Sequence, residues 1–216
     1  MLNHTFSKAV GATIGAFYFC VIMNTPIFGQ DQEKYFGIGF GTSTIDIDTT
    51  GADQVKDSDT AIKILFGFRN TENSAVEIAY ADLGEASAHF TFAGVGEETD
   101  RFEAKAISVV YLGSMEISPT LSFFGKIGFA FWMLDASADG VIFGTPISGS
   151  GSGTGFDPTF GIGLAFGISD NSLIRIAFER YLNVGKGVTV TFPGLGSVDL
   201  DGADVDVIGV TLIFKL

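Results

Sequence analysis

Cysteine is nearly absent: the only one is Cys20, inside the N-terminal apolar stretch. The rest of the chain therefore has no disulfide framework and no thiol for catalysis or metal binding. The stretch Phe17-Tyr-Phe-Cys20 lacks the small residues that precede a lipidated cysteine, so lipoprotein processing is not expected. Positive charge is also scarce, with 12 Lys and Arg against 25 Asp and Glu, which argues against nucleic acid as a partner. After residue 29 no apolar run approaches the ~18 residues of a transmembrane helix. Histidine beyond that point is limited to His89, which leaves little for base catalysis. Gly185-Lys-Gly187 lacks the upstream spacing and the following Ser or Thr of a phosphate-binding loop.

What is present begins with a leader. Residues 1–29 carry Lys8 as their only charge, then an apolar run from Ala9 to Met23, then Asn24-Thr-Pro-Ile-Phe-Gly29. This is the layout of a secretory signal peptide, with cleavage expected between Gly29 and Gln30. The run is too short to span a bilayer. Removing it leaves a net charge of 11 − 25 = −14. The expected organisation is a signal over 1–29 and one domain over 30–216.

The precursor is 46% apolar, with 22 Phe and 29 Gly interleaved along the chain. Period-two alternation appears near 34–46, 60–69, 74–84, 102–113, 120–134, 158–168, 172–182 and 204–214. Each segment has about the 9–11 residues of a tilted membrane-crossing strand. Phe36, Ile38 and Phe40 alternate with glycines; Phe160, Ile162, Leu164 and Phe166 alternate with Gly161, Gly163, Ala165 and Gly167. A soluble sandwich would pair a bulky face with a polar one, whereas here the minor face is tiny. Bulky residues facing lipid and small ones facing a narrow interior give an all-β, eight-stranded, antiparallel up-and-down transmembrane barrel.

The connections alternate in length. Short ones lie at 69–73, 113–119 and 169–172; long loops are expected near 47–59, 85–101, 135–157 and 183–203, with both termini in the periplasm. Ser148-Gly-Ser-Gly-Ser-Gly-Thr-Gly155 reads as a flexible tract, and Val188-Thr-Val-Thr-Phe-Pro193 as the start of a hairpin.

Five charged residues fall on the inward faces: Lys63, Glu77, Lys126, Arg175 and Glu179. They are expected to form an internal salt-bridge network that closes the lumen; the alternative is an ion path. A first turn centred near Thr71 would set Glu77 opposite Leu65 and diagonal to Lys63, so Glu77→Ala would leave Lys63 or Lys126 unpaired. His89 with Ser87 and Glu85 forms a local trio, but without a supporting motif it reads as a solvated loop. Asp46, Asp48, Asp53, Asp57 and Asp59, and Asp199, Asp201, Asp204 and Asp206, suit weak divalent-cation binding, yet match no EF-hand spacing. No catalytic, metal or cofactor site is assigned.

Ala75-Val-Glu-Ile-Ala-Tyr-Ala-Asp-Leu-Gly84, Ser122-Phe-Phe-Gly-Lys-Ile-Gly128, Phe160-Gly-Ile-Gly-Leu-Ala-Phe166 and Leu173-Ile-Arg-Ile-Ala-Phe-Glu-Arg-Tyr181 occur in this order. In these stretches the chain resembles the eight-stranded outer-membrane barrel family that includes the OmpA transmembrane domain and the opacity-type surface proteins. Its last strand resembles the family's assembly signal, with Gly209, Leu212 and Phe214; it departs in carrying Lys215 and Leu216 after the phenylalanine and Val207 at a position that is commonly polar. The resemblance implies a non-enzymatic structural or adhesion-type role through extracellular loops, with a small pore or hydrophobic-ligand channel as the alternative. The implied partners are outer-membrane lipid, lipopolysaccharide, the barrel assembly machinery and a surface ligand.

Overall fold

The structure, a computed structural model, describes residues 33–47 and 49–216. The leader, its cleavage site, Cys20 and Asp48 lie outside the described residues. The described residues form eleven strands: β1 (Lys34–Ile45), β2 (Gln54–Lys56), β3 (Ser58–Thr71), β4 (Ser74–Phe92), β5 (Gly96–Ser118), β6 (Leu121–Ile142), β7 (Thr145–Ser169), β8 (Ser172–Val184), β9 (Thr189–Phe192), β10 (Gly196–Asp199) and β11 (Ala203–Lys215). Eight of them form a closed antiparallel ring, β1-β3-β4-β5-β6-β7-β8-β11. The ring closes between β1 and β11, in register from Tyr35 opposite Lys215 to Ile45 opposite Val205. Closure removes the unpaired sheet edges that lipid cannot satisfy.

Alternation sets the two surfaces. Phe40 is 67% exposed and Ile127 66%, whereas inward Phe124 and Trp132 are each 2% exposed. On β11, Leu212 and Phe214 point outward while Thr211 and Ile213 are buried. The outward apolar belt gives way, toward one end, to Thr42, Thr60, Asp82, Lys105, Asp135, Thr154, Arg180 and Asp206. Two short turns at the other end use the same chemistry. In Thr71-Glu-Asn-Ser74 the two hydroxyls are 2.8 Å apart, and in Ser169-Asp-Asn-Ser172 they are 2.6 Å apart. In each turn the Asn backbone N–H donates to the first hydroxyl, at 3.3 Å.

The two central long connections are not loops. β4, β5, β6 and β7 continue past the belt as paired hairpins, with β6 and β7 in register out to Ile142 opposite Thr145. The stretch from Asp135 to the tip is roughly 25 Å of strand at 3.3–3.4 Å per residue. The glycine tract is part of β7, so its expected flexibility is overturned. Its glycines face inward, and each leaves room for a neighbour. A Cβ on Gly155 would lie 2.1 Å from the Trp132 ring, on Gly153 2.6 Å from Val188, and on Gly149 2.7 Å from the Phe192 ring. The β9–β10 hairpin, joined to β7 at Thr191 opposite Ser150, packs on this bare wall.

A bulge between Asp82 and Glu85 marks where β4 leaves the belt. Gly84 adopts φ +77°, and its N–H donates to Asp82 Oδ1 at 3.1 Å. The extra residue switches the inward set from Ala79, Ala81 and Leu83 to Ala86 and Ala88.

Candidate functional site

The lumen divides into layers. Nearest the short turns, Tyr35, Leu65, Leu112, Phe124 and Ile213 form a small apolar cluster. Above it Arg175 lies between two rings, 5.2 Å from the centroids of Tyr35 and of Phe124, and its guanidinium donates to Glu77. The Tyr35 hydroxyl donates to the same carboxylate oxygen at 2.7 Å. One layer higher, Glu179 accepts from Lys63 and, at 2.6 Å, from Lys126, with the Tyr181 hydroxyl at 3.4 Å. All five charged residues thus pair inside the lumen, in two groups: Glu77 with Arg175, and Glu179 with Lys63 and Lys126.

The register corrects one expectation. Glu77 stands opposite Gly67, not Leu65, and Lys63 stands opposite Ala81. The cause is the position of the turn, which pairs Thr71 with Ser74 and so is centred between Glu72 and Asn73; the irregularity between Arg69 and Thr71 takes back only part of that shift. Glu77 therefore serves Arg175, and the two lysines depend on Glu179.

Sequence reasoning passed over the two tyrosines. Their signal was parity: Tyr35 shares the inward set with Gly37 and Gly39, and Tyr181 with Arg175 and Glu179. Gly67 provides the space, since a Cβ there would lie 2.1 Å from the Tyr35 ring. Trp132 was also missed; its indole N–H donates to Asp157 Oδ2 at 2.8 Å, and it starts the larger apolar cluster of the upper lumen.

Three cavities lie along the axis and share no lining residue: about 70 Å³ beside Tyr35 and Arg175, about 20 Å³ beside Lys63 and Glu179, and about 260 Å³ at the mouth among the long hairpins. The middle one has room for about one water.

The other candidates do not converge. Glu85, Ser87 and His89 lie on β4, and His89 Nδ1 is bonded to Thr99 Oγ1 at 2.9 Å, across to β5. Loop acids serve the backbone: Asp53 accepts from Thr91 N at 2.7 Å, Asp59 from Glu85 N at 3.0 Å and Asp204 from Asn183 N at 3.1 Å. Asp206 binds Arg180 through both oxygens, each at 2.5 Å. Among the described residues no three His, Cys, Asp or Glu side chains gather as a metal site. Asp100, above the belt, has its carboxyl pushed up to about 6 by burial, with a smaller push from Glu98.

No curated protein matches the sequence. Among solved structures the fold is similar to that of neisserial surface protein A, with TM-score 0.52 and 11% identity over 85% of this chain and 97% of that one. It is similar also to the outer membrane protein AlkL, with TM-score 0.50 and 13% identity over 87% of this chain and 93% of that one. The attachment invasion locus protein of Yersinia pestis aligns with TM-score 0.48 and 15% identity, over 87% of this chain and all of that one. The model of the OmpA-like transmembrane domain matches residues 29–202. Together with the eight-stranded ring and its apolar belt, that match places the chain in the OmpA-like transmembrane domain family, as an integral outer-membrane β-barrel.

Proposed function

We propose that this barrel is a non-enzymatic surface protein that acts through its long hairpins, which face the outside, while its lumen stays closed. The observation that carries this reading is the apolar character of the hairpin tips. Phe143 is 78% exposed and Leu195 71%, and Phe92, Val95 and Val198 are exposed beside them. Large apolar groups held on rigid strands far beyond the belt are costly in water unless they meet a surface. The tips repeat one design: in Phe92-Ala-Gly-Val-Gly96 and Phe192-Pro-Gly-Leu-Gly196 the fourth residue's N–H donates to the phenylalanine carbonyl, at 2.8 and 3.0 Å.

In this reading residues 1–29 are a signal removed before Gln30, residues 30–216 form the barrel, and both termini lie in the periplasm. The belt meets lipid and lipopolysaccharide. Gly209, Leu212 and Phe214 on the closing strand serve as the signal to the assembly machinery. The five lumen charges have a structural role, since ion pairs that fill the bore support neither an ion path nor a ligand channel.

Adhesion of cells displaying the protein to hydrophobic and host-cell surfaces tests the reading. Phe143→Ser with Leu195→Ser is expected to lower adhesion several-fold while the barrel keeps its heat stability. Unchanged adhesion would contradict a role for the tips.

A further inference from the structure

The mouth cavity is not used by any role above. Its walls are apolar, formed by Ile45, Phe102, Leu134, Val184 and Leu200. A second cavity of about 160 Å³ adjoins it through Asp100, Phe102 and Leu200. The acids around the main cavity are Asp46, Asp100, Asp199 and Asp201. Among the described residues none of the four lies within ion-pair distance of a cation, although Asp46 is attracted by Arg180; Asp199 accepts a hydrogen bond from Thr189 at 2.6 Å. The nearby cations face elsewhere or are engaged. Arg180 holds Asp206 and approaches Asp204 at 3.9 Å, Arg101 pairs with Asp139 at 3.6 Å, and Lys56 with Asp59 at 3.4 Å. Lys186 lies against Gly202 through its backbone and Cβ.

An apolar hollow gains by being covered, and unpaired carboxylates at its rim select the sign of what covers it. We infer that the mouth of the barrel binds a compact amphipathic monocation, its apolar body against Phe102, Leu134 and Leu200 and its ammonium among Asp100 and the rim carboxylates. A metal ion would find apolar walls instead of further oxygen ligands, and an anion would meet four like charges. Asp100 is the central acid: it is half-buried on the inward face of β5, between Glu98 and Phe102, and its carboxyl is raised by burial and, less, by the neighbouring Glu98.

Three probes of one shape separate charge from shape: adamantylammonium, adamantanol and adamantanecarboxylate, titrated calorimetrically into the full barrel in lipid nanodiscs. The ammonium is expected to bind at least tenfold more tightly than the other two. Asp100→Asn should remove most of that preference while leaving adamantanol binding unchanged. Ala88→Phe, which fills the cavity from β4, should weaken all three probes. Heat stability and the fluorescence of Trp132 verify that each variant is folded. Equal affinities for the three probes, or an ammonium preference that survives both Asp100→Asn and the triple replacement of Asp100, Asp199 and Asp201 by Asn, would overturn the inference.

Discussion

The lumen at the level of the belt and the mouth above it share the same strands but treat charge in opposite ways. Within the belt, Lys63, Lys126 and Arg175 face Glu77 and Glu179 at close range, with two tyrosine hydroxyls completing the hydrogen bonding. In the mouth, four carboxylates surround a cavity, and among the described residues no cation lies within ion-pair distance of them. The difference follows from water. A charge in the narrow bore has room for about one water beside it and must have a protein partner, whereas the mouth cavity, about 260 Å³, is large enough to admit solvent to the carboxylates around it.

Breaking the charge pairs within the belt should give the largest effect. Glu179→Ala leaves two buried lysines beside each other and should cost about 3–5 kcal/mol, read as a lower temperature for the heat-induced gel shift or a lower urea midpoint. Glu77→Ala strands Arg175 and the Tyr35 hydroxyl and should cost about 3 kcal/mol. Pairing it with Arg175→Met should recover most of that loss, because the second change removes the orphan charge. If the double variant is no more stable than Glu77→Ala, the pairing is not what holds this layer.

These two layers also show what the sequence made readable. Alternation assigned the inward faces of the strands that carry Lys63, Glu77, Lys126, Arg175 and Glu179, and therefore all five charges, because a step of one residue exchanges lipid for lumen. It did not supply their pairing, which depends on register. A turn centred beyond Thr71, with Thr71 opposite Ser74, moved Glu77 away from Lys63. Above the belt the signal failed for another reason. From Asp135 to Gly140 and across Ser148 to Gly155 both faces are small or polar, so the size contrast that reveals a membrane strand is missing. Ser148-Gly-Ser-Gly-Ser-Gly-Thr-Gly155 is strictly period two, yet its bare face gave no reason to expect Trp132, Val188 and Phe192 packed against it.

That packing gives the next prediction. Gly153→Val should push Val188 and the β9–β10 hairpin off β7 at a cost of about 1–3 kcal/mol, localised to the mouth. Faster proteolysis of residues 186–203 with an unchanged barrel gel shift would match this; an unaltered cleavage rate would contradict it.

The smallest effect is at Asp100. Its carboxyl is raised in the folded barrel, so ionisation disfavours folding: the stability it contributes is full below about pH 4 and is lost as pH rises through about 6. Asp100→Asn should therefore stabilise the mouth above pH 6, by no more than about 1 kcal/mol after solvent screening, and make no difference below pH 4. Amide hydrogen exchange in β5 at the two pH values checks the sign.

Planar-bilayer recording of the purified barrel tests the closed lumen most directly. Paired charges between Phe124 and Trp132 predict a silent membrane in the wild type, with current only after Glu179 or Glu77 is replaced. Steady single-channel openings in the wild-type protein would contradict it.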